Sequence, residues 1–371
     1  MNMKKQYPKI KEIISFLDNI APLRTQESYD NSGLITGNAD NECDSVLICV
    51  DVTEEVIDEA IKSKTGFIIS HHPFIFGGLK KVTGKTESER IVIKAIRNNI
   101  SIFALHTPFD LAYDGISRSL AEQLGLKNIS ILQPVKDQLR KIVTFAPHEF
   151  AEKVRIAMFE AGAGHIGNYD SCSYNLSGEG TFRALSGSNP FKGKKGKIHT
   201  EKETRVEVIV PFYLSDSVIA AMKTAHPYEE VAYDVYPLEN TNPYSGFGAV
   251  GELKTAANEK TFLNFVKKAT GCKVIRHSAM LGKQIRKVAV CGGSGSFLIG
   301  EAIRSGADIF ITGDVKYHQF SEADKKIVIA DIGHFESEKV FLSSMNDILI
   351  KKFTNFAVRI SKTSTNPVNY L

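Results

Sequence analysis

Apolar residues along the chain fall into short unbroken runs, each followed by a stretch with helical spacing. SVLICVDV (45–52) reads as a strand, and TEEVIDEAIKSK (53–64) as a helix with Thr53 as its N-cap. GFIISHH (66–72), ESERIVIKAIRNN (87–99) and ISIFALH (100–106) continue as strand, helix and strand. Strands joined by helices imply a parallel sheet. Runs without alternation are expected where a strand is covered on both faces. The plan recurs near the C-terminus. RKVAVCG (286–292) reads as a strand, SFLIGEAIRSG (296–306) as a helix and ADIFITGD (307–314) as a strand. A short helical stretch from His318 to Lys326 then leads into the strand KIVIADIGH (326–334). The two series match in order and length, which predicts an internal duplication. The opening MNMKKQYPKIKEIISFLDNI has apolar positions at helical spacing, broken by Lys11, Glu12 and Asp18. It reads as an amphipathic helix and not as a signal peptide.

The segment between the repeats differs. KIVTFAP (141–147) reads as a strand, EFAEKVRIAMFEAG (149–162) as a helix and SCSYNLSGEGTFRAL (171–185) as a hairpin-like pair. A Gly/Lys-rich stretch, SGSNPFKGKKGK (186–197), reads as a solvated loop with a local positive run. TRVEVIVPFYL (204–214), LSDSVIAAMKTA (214–225) and VAYDVYPL (231–238) follow as strand, helix and strand. Two β-α-β halves in series describe a ferredoxin-like α+β domain. The expected fold class is therefore α/β, with duplicated α/β units forming one core from residues 1–135 and 241–371. A ferredoxin-like α+β insert spans 136–240.

Composition narrows the possible functions. Of 371 residues, 43% are apolar and 24% charged, which is ordinary for a globular protein and excludes disorder, collagen and a disulfide-stapled miniprotein. Lys and Arg exceed Asp and Glu by only four, 46 against 42, so charge gives no argument for nucleic-acid binding. No apolar run reaches the ~18 residues of a membrane-spanning helix. The cysteines, Cys43, Cys49, Cys172, Cys272 and Cys291, are odd in number and form no Cys-x-x-Cys pair. Cys49 and Cys291 sit in apolar runs and read as small core residues. Any metal would be held by nitrogen and oxygen, and a reducing cytoplasm is the expected compartment.

Five histidines, His71, His72, His106, His318 and His334, lie at or just beyond the carboxyl ends of expected parallel strands. Open α/β sheets bind their ligands there. His106 and Asp110, like His334 and Glu338, form His-x-x-x-acid at equivalent places in the two repeats. A helical turn would put each pair on one face. With His71 and His72 the inventory is four imidazoles and two carboxylates. That set suits zinc, iron or manganese better than calcium or magnesium, and is large enough for two ions. The competing reading is a His/Asp cluster that works without metal. The stretch Gly78 to Thr86 has five residues between its glycines, one too many for a Walker A loop. Gly292-Gly293-Ser294-Gly295 is either an anion-binding turn or a tight strand-to-helix connection.

Several motifs together resemble one family. Tyr29-Asp30-Asn31-Ser32-Gly33-Leu34, Ser70-His71-His72-Pro73, His106-Thr107-Pro108-Phe109-Asp110, Thr312-Gly313-Asp314 through His318, and Gly333-His334 through Ser337-Glu338 occur in the order seen in Nif-three-like dinuclear metal-centre proteins. Many members carry the name GTP cyclohydrolase 1 type 2. The insert resembles the PII/CutA-like domain of the longer members through His226-Pro227-Tyr228-Glu229-Glu230, Tyr233-Asp234 and Tyr236-Pro237. Tyr29 is a departure, since many members carry Trp there. The resemblance implies two divalent ions per chain, zinc with iron or manganese as alternatives, ligated by His71, His72, Asp110, His334 and Glu338. His106 would lie beside the site. It also implies a toroidal homohexamer with the metal sites facing an internal cavity. The reaction implied is hydrolytic opening of the GTP imidazole ring with release of formate, with His106 or His318 shuttling protons. No motif for guanine recognition is present. Two other readings stand beside it: hydrolysis of another nucleotide or phosphoester, and a non-catalytic metal-binding or regulatory ring.

Overall fold

A computed structural model of the chain describes residues 7–371. In the first repeat, the strands Ser45–Cys49, Phe67–Ser70 and Ser101–Ala104 lie side by side and parallel, with Ile48, Ile69 and Phe103 in register. Ala357–Ile360 adds a parallel strand at one edge, and Gly33–Thr36 an antiparallel one at the other. The second repeat builds the same parallel trio from Gln284–Ser294, Ile309–Gly313 and Val328–Asp331. Antiparallel Gly246–Asn258, Lys127–Pro134 and Arg276–His277 extend that sheet to six strands.

The unbroken apolar runs have the expected cause. Val46, Ile48, Phe67, Ile69, Val290, Ile309 and Ile311 point into one core shared by both sheets. Their neighbours Leu47, Cys49 and Ile68 point outward under the helices Glu54–Lys62 and Glu87–Arg97. Ala289, Cys291 and Phe310 do the same under the helix Ile299–Arg304. Both first-repeat helices begin on a threonine: Thr53 Oγ1 accepts from Val56 N and Thr86 Oγ1 from Glu89 N. Each such cap contributes about 1 kcal/mol. The expected second-repeat helix is shorter. Residues Ser296–Leu298 form a 3-10 turn before Ile299–Arg304 begins. The opening helix runs from Ile10 to Ile20, and the first six residues lie outside the described ones.

Contacts divide the chain into two compact units, one of residues to Pro134 with Tyr244–Leu371, the other Val135–Pro243. The second unit is an antiparallel sheet in the order Ser173–Arg183, Ile198–Pro211, Leu139–Pro147, Tyr233–Leu238. This is the ferredoxin-like strand order. Ile142, Ala146, Val206, Val208 and Val210 pack against Val154 and Met158 of the helix His148–Glu160, and Val218 and Met222 of Ser215–Ala225.

One expectation is corrected here. Residues 171–185 do not form a hairpin-like pair but hold one long strand, Ser173–Arg183. Ser177-Gly178-Glu179-Gly180 looks like a turn, yet Gly178 pairs with Glu203 and Gly180 with Glu201 in the middle of an edge strand. No helix among the described residues is long and apolar enough to cross a membrane. All five cysteines are free, and four of them are buried.

Candidate metal centre

The parallel strands of the core end where the histidines begin. His71 and His72 leave the strand Phe67–Ser70 with their amides bonded to Val50 O at 3.1 and 2.9 Å. His106 follows Ser101–Ala104, and His334 follows Val328–Asp331. After each of these two, the chain makes one short helix, Thr107–Leu111 or His334–Glu338. Pro108 suits the first turn of its helix, where no intrahelical N–H bond is needed. Asp110 N bonds back to His106 O at 3.1 Å. The acids thus stand one turn beyond the imidazoles.

Side chains nearly the whole chain apart meet at this edge. His72 Nε2 lies 3.1 Å from Glu338 Oε2, and His334 Nε2 lies 3.1 Å from the same oxygen. His71 Nε2 is 3.6 Å from both Asp110 Oδ1 and Glu338 Oε1. Ligand atoms of His71, His72 and His106 fall within 4.8 Å of one another, as do those of His72, His334 and Glu338. His72 belongs to both groups.

The other nitrogen of each ring is already committed. His71 Nδ1 lies 3.1 Å from Leu105 O. His72 Nδ1 is 2.7 Å from Asp51 Oδ1, His106 Nδ1 is 2.9 Å from Asp30 Oδ1, and His334 Nδ1 is 2.7 Å from Asp314 Oδ2. With a proton held on each Nδ1, loss of any proton at Nε2 leaves that lone pair directed into the cluster, the arrangement that orients imidazole for a metal. Two buried atoms in the cluster, His71 Nε2 and Glu338 Oε2, have no well-aligned hydrogen bond, although two imidazole Nε2 atoms stand 3.1 Å from that oxygen. Unsatisfied buried polar atoms are costly and rare, and a cation bound here would satisfy both.

Electrostatics agree. Burial opposes the Glu338 charge, but the imidazoles of His71, His334 and His72 hold its carboxyl well below the usual range. Asp110 is pushed up to about 7 by burial and by the Glu338 charge. Burial opposes protonation of His72 and His334, yet Asp51 and Glu338 raise the first to about 10, and Glu338 and Asp314 the second to about 9. Burial pulls His71 below its ordinary value despite Glu338. Without a cation the buried carboxylate charge is balanced by protons kept on His72 and His334, and a divalent cation would replace those protons. Its all-nitrogen-and-oxygen donors suit borderline transition metals.

Two cavities open on the cluster. One of about 460 Å³ is lined by Asp51, His72, Phe76, His106 and His334 among others. One of about 690 Å³ is lined by Asp51, His72, Arg276, Asp314, His334 and Tyr370 among others.

The structure thus brings together His71, His72, His106, Asp110, His334 and Glu338. It does not bring in His318, which stands exposed on the 3-10 turn Tyr317–Ala323 with its ring against Tyr317. That turn lies past the strand end, beyond the reach of the rule that singled His318 out. The turn Gly292–Gly295 does not offer its amides to an anion. Gly292 N donates to Ser117 Oγ, Gly293 N to Ser337 Oγ and Gly295 N to Thr312 Oγ1. Its role is steric: Gly293 has φ +64°, and a Cβ there would collide with Glu338 Oε1. Sequence reasoning gave no role to Asp30, Asp51 and Asp314. Asp51 and Asp314 lie just past parallel strands, so the rule that found the histidines would have found them. Asp30 has no such signal. Burial works against its charge, but bonds from His106, Thr107 and Ser32 keep it ionised.

Residues 8–367 match the family model described as Duf34/NIF3 (NGG1p interacting factor 3). A relative in Halalkalibacterium halodurans, named GTP cyclohydrolase 1 type 2 homolog, is 39% identical over 365 residues, covering 97% of this chain and 98% of its own. One of the same name in Bacillus subtilis is 38% identical over 371 residues, covering 97% and 98%. Among solved structures, a Bacillus cereus protein related to NIF3 superposes with a TM-score of 0.84 at 39% identity, covering 100% of both chains. Staphylococcus aureus protein SA1388 gives a TM-score of 0.78 at 29% identity, covering 99% of this chain and 100% of that one. With its duplicated core and His/Glu cluster in place, the chain belongs to the Duf34/NIF3 family.

Proposed function

We propose that this protein is a metal-dependent hydrolase that opens the imidazole ring of GTP and releases formate. The observation that carries the reading is the pair of unsatisfied buried atoms, His71 Nε2 and Glu338 Oε2, inside a set of imidazoles pre-oriented through Nδ1. His71, His72, Asp110, His334 and Glu338 would hold two divalent ions, zinc with iron or manganese as alternatives. The chemistry supplied by a bound divalent cation is Lewis acidity, which polarises a substrate oxygen and lets water act as a nucleophile near neutral pH.

The chain's own residues do the rest. Asp51, Asp30 and Asp314 fix the rings, so that little reorganisation is needed when charge develops. His106 lines the 460 Å³ cavity and is held at Nδ1 by an ionised Asp30. It is the group placed to move a proton at Nε2, since its ring faces both His71 and His72. Phe76, with its ring edge-on to His106, lines the same cavity. The names carried by the relatives support GTP as the substrate.

The test is formate release from GTP by the metal-supplemented protein. Wild type should turn over. His334→Ala should abolish release, and His106→Ala should slow it by roughly 10²–10⁴-fold with metal content kept. No formate above buffer from a metal-loaded wild type would overturn the ring-opening reaction. Absence of turnover on a panel of nucleotides and phosphodiesters as well would leave a non-catalytic metal-binding ring.

A further inference from the structure

The Val135–Pro243 unit has its own cavity, of about 800 Å³. Its helices cover one face of the sheet, and the cavity lies on the other. Directly paired residues in neighbouring antiparallel strands share a face. Gly178 pairs with Glu203, Glu203 with Pro147, and Phe145 with Arg205. All of these lie opposite to Val206 and Val208, which pack under the helices. The segment 184–197 and the turn around Tyr228 fold over this open face and close the cavity with Phe191 and Tyr228.

Three features make it a built site. First, the walls are aromatic: Phe145, Phe182, Phe191 and Tyr228, with Phe182 and Phe191 ring centroids 6.0 and 6.2 Å from that of Tyr228. Second, a carboxylate sits among them. Glu203 is only 9% exposed. Its Oε1 accepts from Tyr228 OH at 2.9 Å, and no hydrogen bond to Oε2 is present among the described residues. Third, two mid-strand glycines clear the floor. A Cβ at Gly180 would collide with Glu203 Oε2, whereas one at Gly178 would meet nothing within 4 Å and would stand in open space. Glycine inside a strand weakens it and commonly marks close approach of a ligand. Two of the three lining cations are engaged by acids: Arg205 Nε bonds to Glu207 at 2.7 Å, and Lys192 Nζ lies 3.4 Å from Glu149, while Arg183 stands at the end of its strand.

We infer that this cavity binds a flat nitrogen heterocycle presenting adjacent N–H donors, the edge carried by guanine and pterin rings. Such a ring stacks on the aromatic walls over Gly178 and gives its N–H groups to Glu203. A carboxylate accepts from two neighbouring donors but repels a ring acceptor, so an adenine edge, which alternates donor and acceptor, fits poorly. The volume lies in the usual range for a small-molecule pocket and exceeds what a lone guanidinium would fill. The site is separate from the metal-centred chemistry proposed above and does not rest on it.

The chain has no tryptophan, so Leu185→Trp places the sole indole at the rim. Guanosine should quench its emission saturably, with a Kd below about 1 mM, and calorimetry on the wild type should give the same value. Glu203→Gln and Gly178→Val should each weaken binding by at least about tenfold. Melting temperature and metal content should stay as in wild type. Adenosine should bind at least about tenfold more weakly than guanosine. Absence of saturable guanosine binding by both methods would overturn the inference. So would binding insensitive to Gly178→Val, or binding of L-arginine amide in place of guanosine. If one variant fails to fold, the other still decides, since they act from different strands.

Discussion

The two repeats of the core share a scaffold and divide the work. Each ends its third parallel strand in a histidine and places an acid one helical turn later, His106 with Asp110 and His334 with Glu338. They part at the second strand. There the first repeat carries His71-His72, which point into the cluster, while the second carries Gly313-Asp314, whose acid instead orients His334. They part again after the first strand, where Asp51 orients His72 but Gly293 makes room for Glu338. A duplicated frame thus retains the geometry, while small side-chain changes decide which copy supplies donors and which supplies their supports.

Breaking the comparison at its centre should have the largest effect. Glu338 is 3% exposed and has three imidazoles within 4 Å, whereas Asp110 has one among the described residues, His71. Glu338→Gln should lower zinc affinity by more than about 100-fold, beyond the usual loss from a supporting group. Asp110→Asn should lower it less. Equal losses in a competition titration would contradict the asymmetry. Next come the supports. Asp51→Asn and Asp314→Asn should each cost about 10–100-fold in metal affinity while leaving the fold intact. A loss for only one would show that just one repeat depends on its orienting acid.

A smaller effect concerns pH. Without metal, His72 and His334 have pKa values raised to about 10 and about 9, above the ~6.5 of an unfolded chain. Their contribution to stability is complete below about pH 6.5 and is lost as pH climbs through 9 and 10. Asp110, raised to about 7, acts in the same sense, and stability falls as pH rises from about 4 through 7. The metal-free protein should therefore melt at a lower temperature at pH 10 than at pH 6. An unchanged or higher melting temperature would refute the coupling. The smallest effect should come from His318→Ala, an exposed position where substitution costs within about 0.5 kcal/mol. Metal content and melting temperature should both match wild type.

Much of this was legible before any coordinates. The unbroken runs around Ile48, Ile69 and Ile311 announced strands covered on both faces; the strand-end rule located four of the six clustered side chains directly, and His-x-x-x-acid spacing gave the other two, Asp110 and Glu338. The supporting acids were not legible, because an Asp after a strand is commonplace until a ring nitrogen is seen against it. Asp30 arrives from a loop far upstream of His106 and has no periodic signal. The Gly178-Glu179-Gly180 stretch misled for a physical reason: glycine signals a turn or a cleared surface equally well, and only pairing to Glu203 and Glu201 distinguishes the two.

The central claim is that the Nε2 atoms and the two acids converge on bound cations. Diffraction data collected at the zinc absorption edge, from crystals of the zinc-supplemented protein, test it most directly. The account predicts two anomalous peaks, with His72 and Glu338 within about 2.0–2.3 Å of one or both. Zinc density confined to other residues, or none at the strand ends despite saturating zinc, would contradict it.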